Sequence, residues 1–160
     1  MQKKIITKSA KETQELGKIL AKEILAQLLL VRQRANGVGA GKSAVVLGLQ
    51  GDLGGGKTTF LQGFAKGLGI KEKILSPTFI IYRKFKILNS KFKYFYHFDC
   101  YRLKNEREIL ELGFKKIISD PKNIVVIEWA EKIKKVLPKS TITIKFDFID
   151  KNKREIVINF

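Results

Sequence analysis

An α/β fold in three layers, with helices on both faces of a mixed parallel and antiparallel sheet, is predicted by three features of this sequence. A nearly unbroken apolar run at residues 44–50 leads straight into a glycine-rich loop and then a helix-forming stretch. A second run, Ile124-Val-Val-Ile127, lacks alternation in the same way and so suits a strand covered on both faces. Two pairs of β-rich segments, 78–88 with 92–99 and 141–149 with 154–160, read as hairpins and add antiparallel strands.

In chain order, residues 2–7 form a short strand candidate, and Ser9 with Glu12 has the capping-box spacing that satisfies two orphan amides at a helix start. Leu16, Ile19, Leu20, Ile24, Leu28 and Val31 then recur at helical spacing, so one helix is expected over residues 10–34 with a single buried stripe. A glycine-rich connector at 35–42 precedes the first apolar strand. The next helix, 57–68, is closed by Gly69 at the position where a left-handed backbone is easiest without a Cβ. Asn89-Ser90 turns the first hairpin, a short helix is expected at 106–112, and residues 123–128 form the second buried strand.

At 160 residues the chain fits one domain, 1–160, large enough to close a core without staples. Cys100 is the sole cysteine, which excludes an internal disulfide and suits a reducing compartment. The N-terminus has no apolar leader, and no run approaches the ~20 apolar residues needed to cross a bilayer. A soluble cytoplasmic protein with no membrane partner is therefore expected. The formal net charge of +17 would attract polyanions such as nucleic acid, but the lysines are scattered along the chain, which favours a solvated basic surface over an RNA-facing one.

The chemistry concentrates at Gly51-Asp-Leu-Gly-Gly-Gly56-Lys57-Thr58, which matches G-x-x-x-x-G-K-[ST]. In that pattern backbone amides and a helix N-terminus surround phosphate oxygens, the lysine supplies a point charge and the hydroxyl ligates magnesium. Strand, loop and helix follow in the order the mechanism needs, so a P-loop NTPase-like fold binding ATP or ADP with Mg2+ is predicted, the nucleotide lying across residues 54–59. Gly37-Val-Gly-Ala-Gly41-Lys42-Ser43 looks similar, but a helix precedes it and a strand follows, so no helix dipole would face a phosphate. It reads as a flexible connector or, less favoured, as a secondary anion site built from its glycines.

Magnesium takes one or two carboxylates besides the nucleotide. Glu128, ending its apolar strand, is the favoured metal-side carboxylate, beside the P-loop at the C-terminal edge of the sheet. Asp99 ends the other candidate strand, and period-2 alternation puts His97, Asp99 and Tyr101 on one face with Tyr96 and Phe98 on the other. Asp99 reads either as a group that orients water or supports the metal shell, or as the cap of the following turn, and His97 as a hydrogen-bonded structural histidine. Arg102 is assigned no catalytic role. Ser76-Pro77-Thr78-Phe79 reads as a segment that senses the γ-phosphate or as a plain turn.

Taken together, Gly-Asp-Leu-Gly-Gly-Gly-Lys-Thr-Thr-Phe (51–60), Ser-Pro-Thr-Phe (76–79), His-Phe-Asp-Cys-Tyr-Arg-Leu (97–103) and Ile-Glu-Trp-Ala-Glu-Lys (127–132) closely resemble the TsaE family, also called YjeE, in order and spacing over most of the chain. The resemblance implies an ATPase that works with the TsaD and TsaB proteins to place threonylcarbamoyl on the adenosine next to the anticodon of certain tRNAs. It leaves open whether tRNA is met indirectly or through the basic surface. Carried over by position, it implies Lys57, Asp99 and Glu128 as catalytic residues and Thr58 with Glu128 at the metal. Ser9, Gly54, Gly55, Gly56, Lys57, Thr58, Thr59, Asp99, Trp129 and Arg154 would contact the nucleotide. Gly55 stands where alanine is usual, Cys100 where leucine is usual, and the connector 33–43 is longer than the family pattern.

Hydrolysis is expected to be slow until a partner orders residues 76–79 and 97–101. Two competing readings are a small-metabolite or nucleoside kinase and a basic RNA-binding module. The first needs a lid with several arginines, whereas Arg83, Arg102, Arg107 and Arg154 are spread singly after the P-loop. The second would stack bases on Tyr94, Tyr96 and Tyr101.

Overall fold

The structure, a computed structural model, describes residues 1–34, 42–75, 81–88 and 90–160. Residues 76–79, the glycines of the 37–43 tract, most of the 33–43 connector and Asn89 therefore lie outside the described residues. The elements run β1 Gln2–Thr7, α1 Ala10–Arg34, β2 Val45–Gln50, α2 Lys57–Gly67, β3 Tyr82–Lys86, β4 Tyr94–Asp99, α3 Glu106–Glu111, α4 Phe114–Ser119, β5 Asn123–Glu128, a 3₁₀ segment Ala130–Val136, β6 Ile142–Phe148 and β7 Arg154–Asn159. Neither α4 nor the 3₁₀ segment is expected from the sequence. Both span fewer than two α-helical turns, too little for a 3.6-residue period to declare itself.

Among the described residues seven strands form one sheet in the order β1-β7-β6-β2-β5-β4-β3. β2 lies parallel to both β5 and β6, and β4 lies parallel to β5. The antiparallel pairs are the predicted hairpins β3–β4 and β6–β7, together with β1 on β7, so the mixed sheet is as expected. Registers Leu49↔Glu128 and Asp99↔Glu128 bring the C-terminal ends of β2, β4 and β5 to one level.

Alternation along the central strands feeds two cores. Leu47, Leu49, Phe95, Ile124 and Val126 meet Leu20, Ala21 and Ile24 of α1 and Phe60, Leu61 and Phe64 of α2. Val46, Phe98, Val125 and Ile127 face the other way onto Ile109, Phe114, Ala130 and Ile133. Each of the Leu, Ile, Val and Phe side chains so removed from water contributes about 1.5–3 kcal/mol.

Two devices fix α2, the helix that carries the P-loop residues. Along its body, glycines let it lie against α1 with backbones touching: a Cβ on Gly63 would stand 1.8 Å from the Gln14 carbonyl oxygen, and one on Gly17 would stand 2.2 Å from that of Phe60. At its C-terminal end Gly69 adopts φ 80°, and the Gly69 and Ile70 amides donate to the Lys66 and Ala65 carbonyls. That is the paired closure expected of a glycine there.

Candidate functional site

A cleft of about 360 Å³ opens at the C-terminal edge of β2, β4 and β5, and the glycine loop forms one wall. Gly51, Gly54 and Gly56 have φ of 124°, 75° and 102°, in the region that side chains with a Cβ avoid. A Cβ on Gly51 would also stand 2.3 Å from the Phe146 carbonyl oxygen, so the loop is pressed onto β6. Gly54, Gly55, Gly56, Lys57, Thr58 and Thr59 all line the cleft.

The two long helices start differently. At α1 the Ser9 hydroxyl accepts from the Glu12 amide, and Glu12 accepts from the Lys8 amide. Among the described residues, α2 has neither a side-chain cap nor an acidic residue in its first turn. Its N-terminal residues Lys57, Thr58 and Thr59 line the cleft, so the positive end of its dipole lies there with no side chain of its own capping it, which is the arrangement that receives an anion.

Lys57 is buried, and its Nζ donates to the carbonyls of Gly51 at 2.6 Å and Asp52 at 2.7 Å. The same ammonium lies 4.0 Å from the centre of the Trp129 ring. Burial pushes the Lys57 pKa below the ordinary lysine value, and the nearby carboxylates of Glu128, Glu131, Asp52 and Asp99 oppose that shift.

Behind the lysine runs a chain of buried polar groups. The Thr58 hydroxyl donates to Glu128 Oε2 at 2.8 Å, and Glu128 Oε1 pairs with His97 Nε2 at 2.9 Å. Glu128 is 2% exposed and His97 fully buried, on the sheet face that α2 covers. Asp99 shares that face and also lines the cleft, while its Oδ1 accepts from the Tyr101 amide. The turn-capping reading of Asp99 and its placement at the cleft thus hold together.

Trp129 follows Glu128 with φ 59°, the one positive φ outside glycine among the described residues. Such a backbone costs on the order of 1–3 kcal/mol and is held by its surroundings. Its ring lies 5.0 Å from that of Tyr101, and both line the cleft. Arg154, at the start of β7, donates to the Gly54 carbonyl through Nε and Nη2 at 3.3 and 3.1 Å. Its Nη1 holds the Asp150 and Lys153 carbonyls, so one guanidinium ties the glycine loop to the β6–β7 turn.

Of the residues expected at the nucleotide, the metal or the chemistry, Gly54, Gly55, Gly56, Lys57, Thr58, Thr59, Asp99, Glu128, Trp129 and Arg154 line this cleft, whereas Ser9 caps α1 and is not among the lining residues, and the candidate segment 76–79 lies outside the described residues. Its neighbours Ala10 and Thr13 line the cleft instead, with Leu53, Tyr101, Lys151 and Asn152. Lys151 and Asn152 carried no motif; only the pairing of β6 with β7 brings their turn to the P-loop. Cys100 is buried and its thiol is pushed up to about 12, by burial and then by Asp99, so it stays protonated and inert.

The residues present fit a magnesium ion that arrives with phosphate. Among the described residues no group of three or more His, Cys, Asp or Glu could hold a metal by itself. Magnesium on a nucleotide needs only one or two protein ligands, and Thr58 with Glu128 supplies a hydroxyl and a carboxylate at one spot. Nor is any helix among the described residues long and apolar enough to cross a membrane.

Known proteins are similar to this chain along most of its length. A crystal structure of Bacillus subtilis YdiB superposes with a TM-score of 0.69 at 29% identity, covering 99% of this chain and 84% of that one. The tRNA threonylcarbamoyladenosine biosynthesis protein TsaE of Rickettsia felis is 34% identical over 151 residues, which is 94% of this chain and 75% of the relative. The protein of the same name from Bacillus subtilis is 39% identical over 115 residues, 72% of this chain and 69% of the relative. The family model described as threonylcarbamoyl adenosine biosynthesis protein TsaE matches residues 7–156. A P-loop-type α/β sheet with the family's sequence along nearly its whole length means that this chain belongs to the TsaE family.

Proposed function

We propose that this chain is one cytoplasmic ATPase domain, residues 1–160, that supports threonylcarbamoyladenosine modification of tRNA together with the TsaD and TsaB proteins. The observation that carries the reading is the meeting of Lys57, Thr58 and Glu128 at an uncapped helix N-terminus. There a polyphosphate would find amides, an ammonium and a metal-side carboxylate within one cleft.

Phosphoryl transfer asks the protein mainly for positioning and charge neutralisation. The loop amides and Lys57 would hold the β- and γ-phosphates of ATP, the ammonium exchanging the Gly51 and Asp52 carbonyls for phosphate oxygens. Thr58 and Glu128 would hold Mg2+, which when bound neutralises charge on those oxygens. Asp99, level with Glu128 on the adjacent strand, would orient the attacking water. Trp129 shields Lys57 from bulk solvent on its ring side. Arg154 keeps the loop in shape through the Gly54 carbonyl.

The test is ATP hydrolysis by the purified protein alone and with TsaD and TsaB from the same source, for wild type, Lys57→Ala and Glu128→Ala. Activity that rises with the partners and vanishes in both variants supports the reading. Turnover indifferent to the partners, or phosphate transferred to a small acceptor in place of water, overturns it.

A further inference from the structure

We infer that His97 is a positioning residue for the metal-side carboxylate: by donating from Nε2 to Glu128 Oε1 it fixes the plane in which Glu128 offers its other oxygen beside Thr58. The inference deepens the reading just given and rests on Glu128 serving the metal.

Glu128 is held at both oxygens by different elements. Oε2 accepts from Thr58, a cleft-lining residue on α2, at 2.8 Å, and Oε1 meets His97, on β4 and away from solvent, at 2.9 Å. The terminal torsion of a glutamate is broad and roughly two-fold, so one hydrogen bond would leave the carboxylate free to swing. The second, from a ring locked in the core, removes that freedom. At 2% exposure Glu128 cannot replace a lost donor with bulk water.

The imidazole itself shows what it is there for. Its strand neighbours Phe95 and Phe98 are fully buried, as is Val126 opposite it on β5. An apolar side chain would fill that place without the desolvation cost of a ring nitrogen. His97 Nδ1 is buried with no hydrogen-bond partner among the described residues, so the ring serves no second polar group there. Among the described residues the one side-chain hydrogen bond of His97 is to Glu128. Carboxylates that ligate metals are themselves hydrogen-bonded, and losing that outer partner typically costs ~10–100-fold in metal affinity or activity.

The experiment measures ADP affinity by calorimetry with and without Mg2+, and thermal unfolding, for wild type, His97→Leu, His97→Gln, His97→Asn and Glu128→Gln. His97→Leu is expected to reduce the Mg2+-dependent gain in ADP affinity by about tenfold or more, with Mg2+-free affinity unchanged within about twofold. His97→Gln, whose amide reaches the Nε2 position, should recover most of the gain, and the shorter His97→Asn should not. If His97→Leu fails to fold, the Gln and Asn pair decides by the same criterion. A purely structural histidine would lower the unfolding temperature and leave the Mg2+-dependent gain alone, which overturns the inference. If Glu128→Gln also leaves that gain untouched, the assignment of Glu128 to the metal fails, and the role of His97 fails with it.

Discussion

Gly63→Ala sets two effects of opposite sign against each other. In an isolated helix the substitution stabilises by about 1 kcal/mol, because alanine loses less backbone entropy than glycine. Here the added Cβ would stand 1.8 Å from the Gln14 carbonyl oxygen, 2.5 Å from its carbon and 2.7 Å from the Gln14 Cα. All three are backbone atoms of α1 and cannot rotate away, so the helices must part by 1.2 Å to reach even 3.0 Å. Overpacking of this kind costs roughly 1–3 kcal/mol and occasionally more, and an immovable neighbour puts this case at the upper end. The net expectation is a loss of about 2 kcal/mol, seen as a fall of about 4–8 °C in the unfolding temperature.

The perturbation reaches function because Gly63 lies about 9 Å along α2 from Lys57 at 1.5 Å per residue. Moving α2 off α1 moves its amides, Lys57 and Thr58 relative to Glu128, which β5 keeps in place. ADP affinity should therefore fall together with stability, measured by calorimetry well below the unfolding transition. Gly17→Ala attacks the same contact from α1, where a Cβ would stand 2.2 Å from the Phe60 carbonyl oxygen, and should act in the same direction. A Gly63→Ala protein as stable as wild type, with unchanged ADP affinity, would refute the backbone-contact argument.

Four further outcomes follow from the structure. Lys57 titrates below the ordinary lysine range, and a polyphosphate would favour its charged form, so ATP affinity should fall with rising pH before ordinary lysines titrate; a calorimetric pH series checks this. The stability of the nucleotide-free protein should move the other way: between the lowered folded value and the unfolded one the unfolded chain binds more protons, so this group's contribution grows with pH. Arg154→Ala removes both donors to the Gly54 carbonyl and should weaken ATP binding about fivefold to tenfold, since such part-exposed hydrogen bonds are worth only ~1 kcal/mol. Cys100, buried with its thiol pushed up to about 12, should resist alkylation at pH 8 until the protein is unfolded in denaturant; fast labelling of the native protein would contradict its placement.

The sequence by itself determined what is local. The strand, glycine loop and helix at 45–67 follow from an apolar run, glycines able to take positive φ and a helical period within a few turns, and the α1 cap and the Gly69 closure follow from four or five residues each. It also brought Asp99 and Glu128 to strand ends, because alternation and length show where a buried strand stops. Tertiary structure decided what meets at those ends. Thr58 reaches Glu128 across 70 residues, Arg154 reaches Gly54 across 100, and Lys151 and Asn152 come to the cleft only because β7 pairs with β6. It decided as well that His97, which the sequence shows only as a hydrogen-bonded structural histidine, pairs with Glu128. It set Trp129 in a left-handed backbone that no local pattern announces. Period and capping act over one or two turns, whereas strand pairing and the packing of α1 on α2 join residues whose separation along the chain carries no local signal.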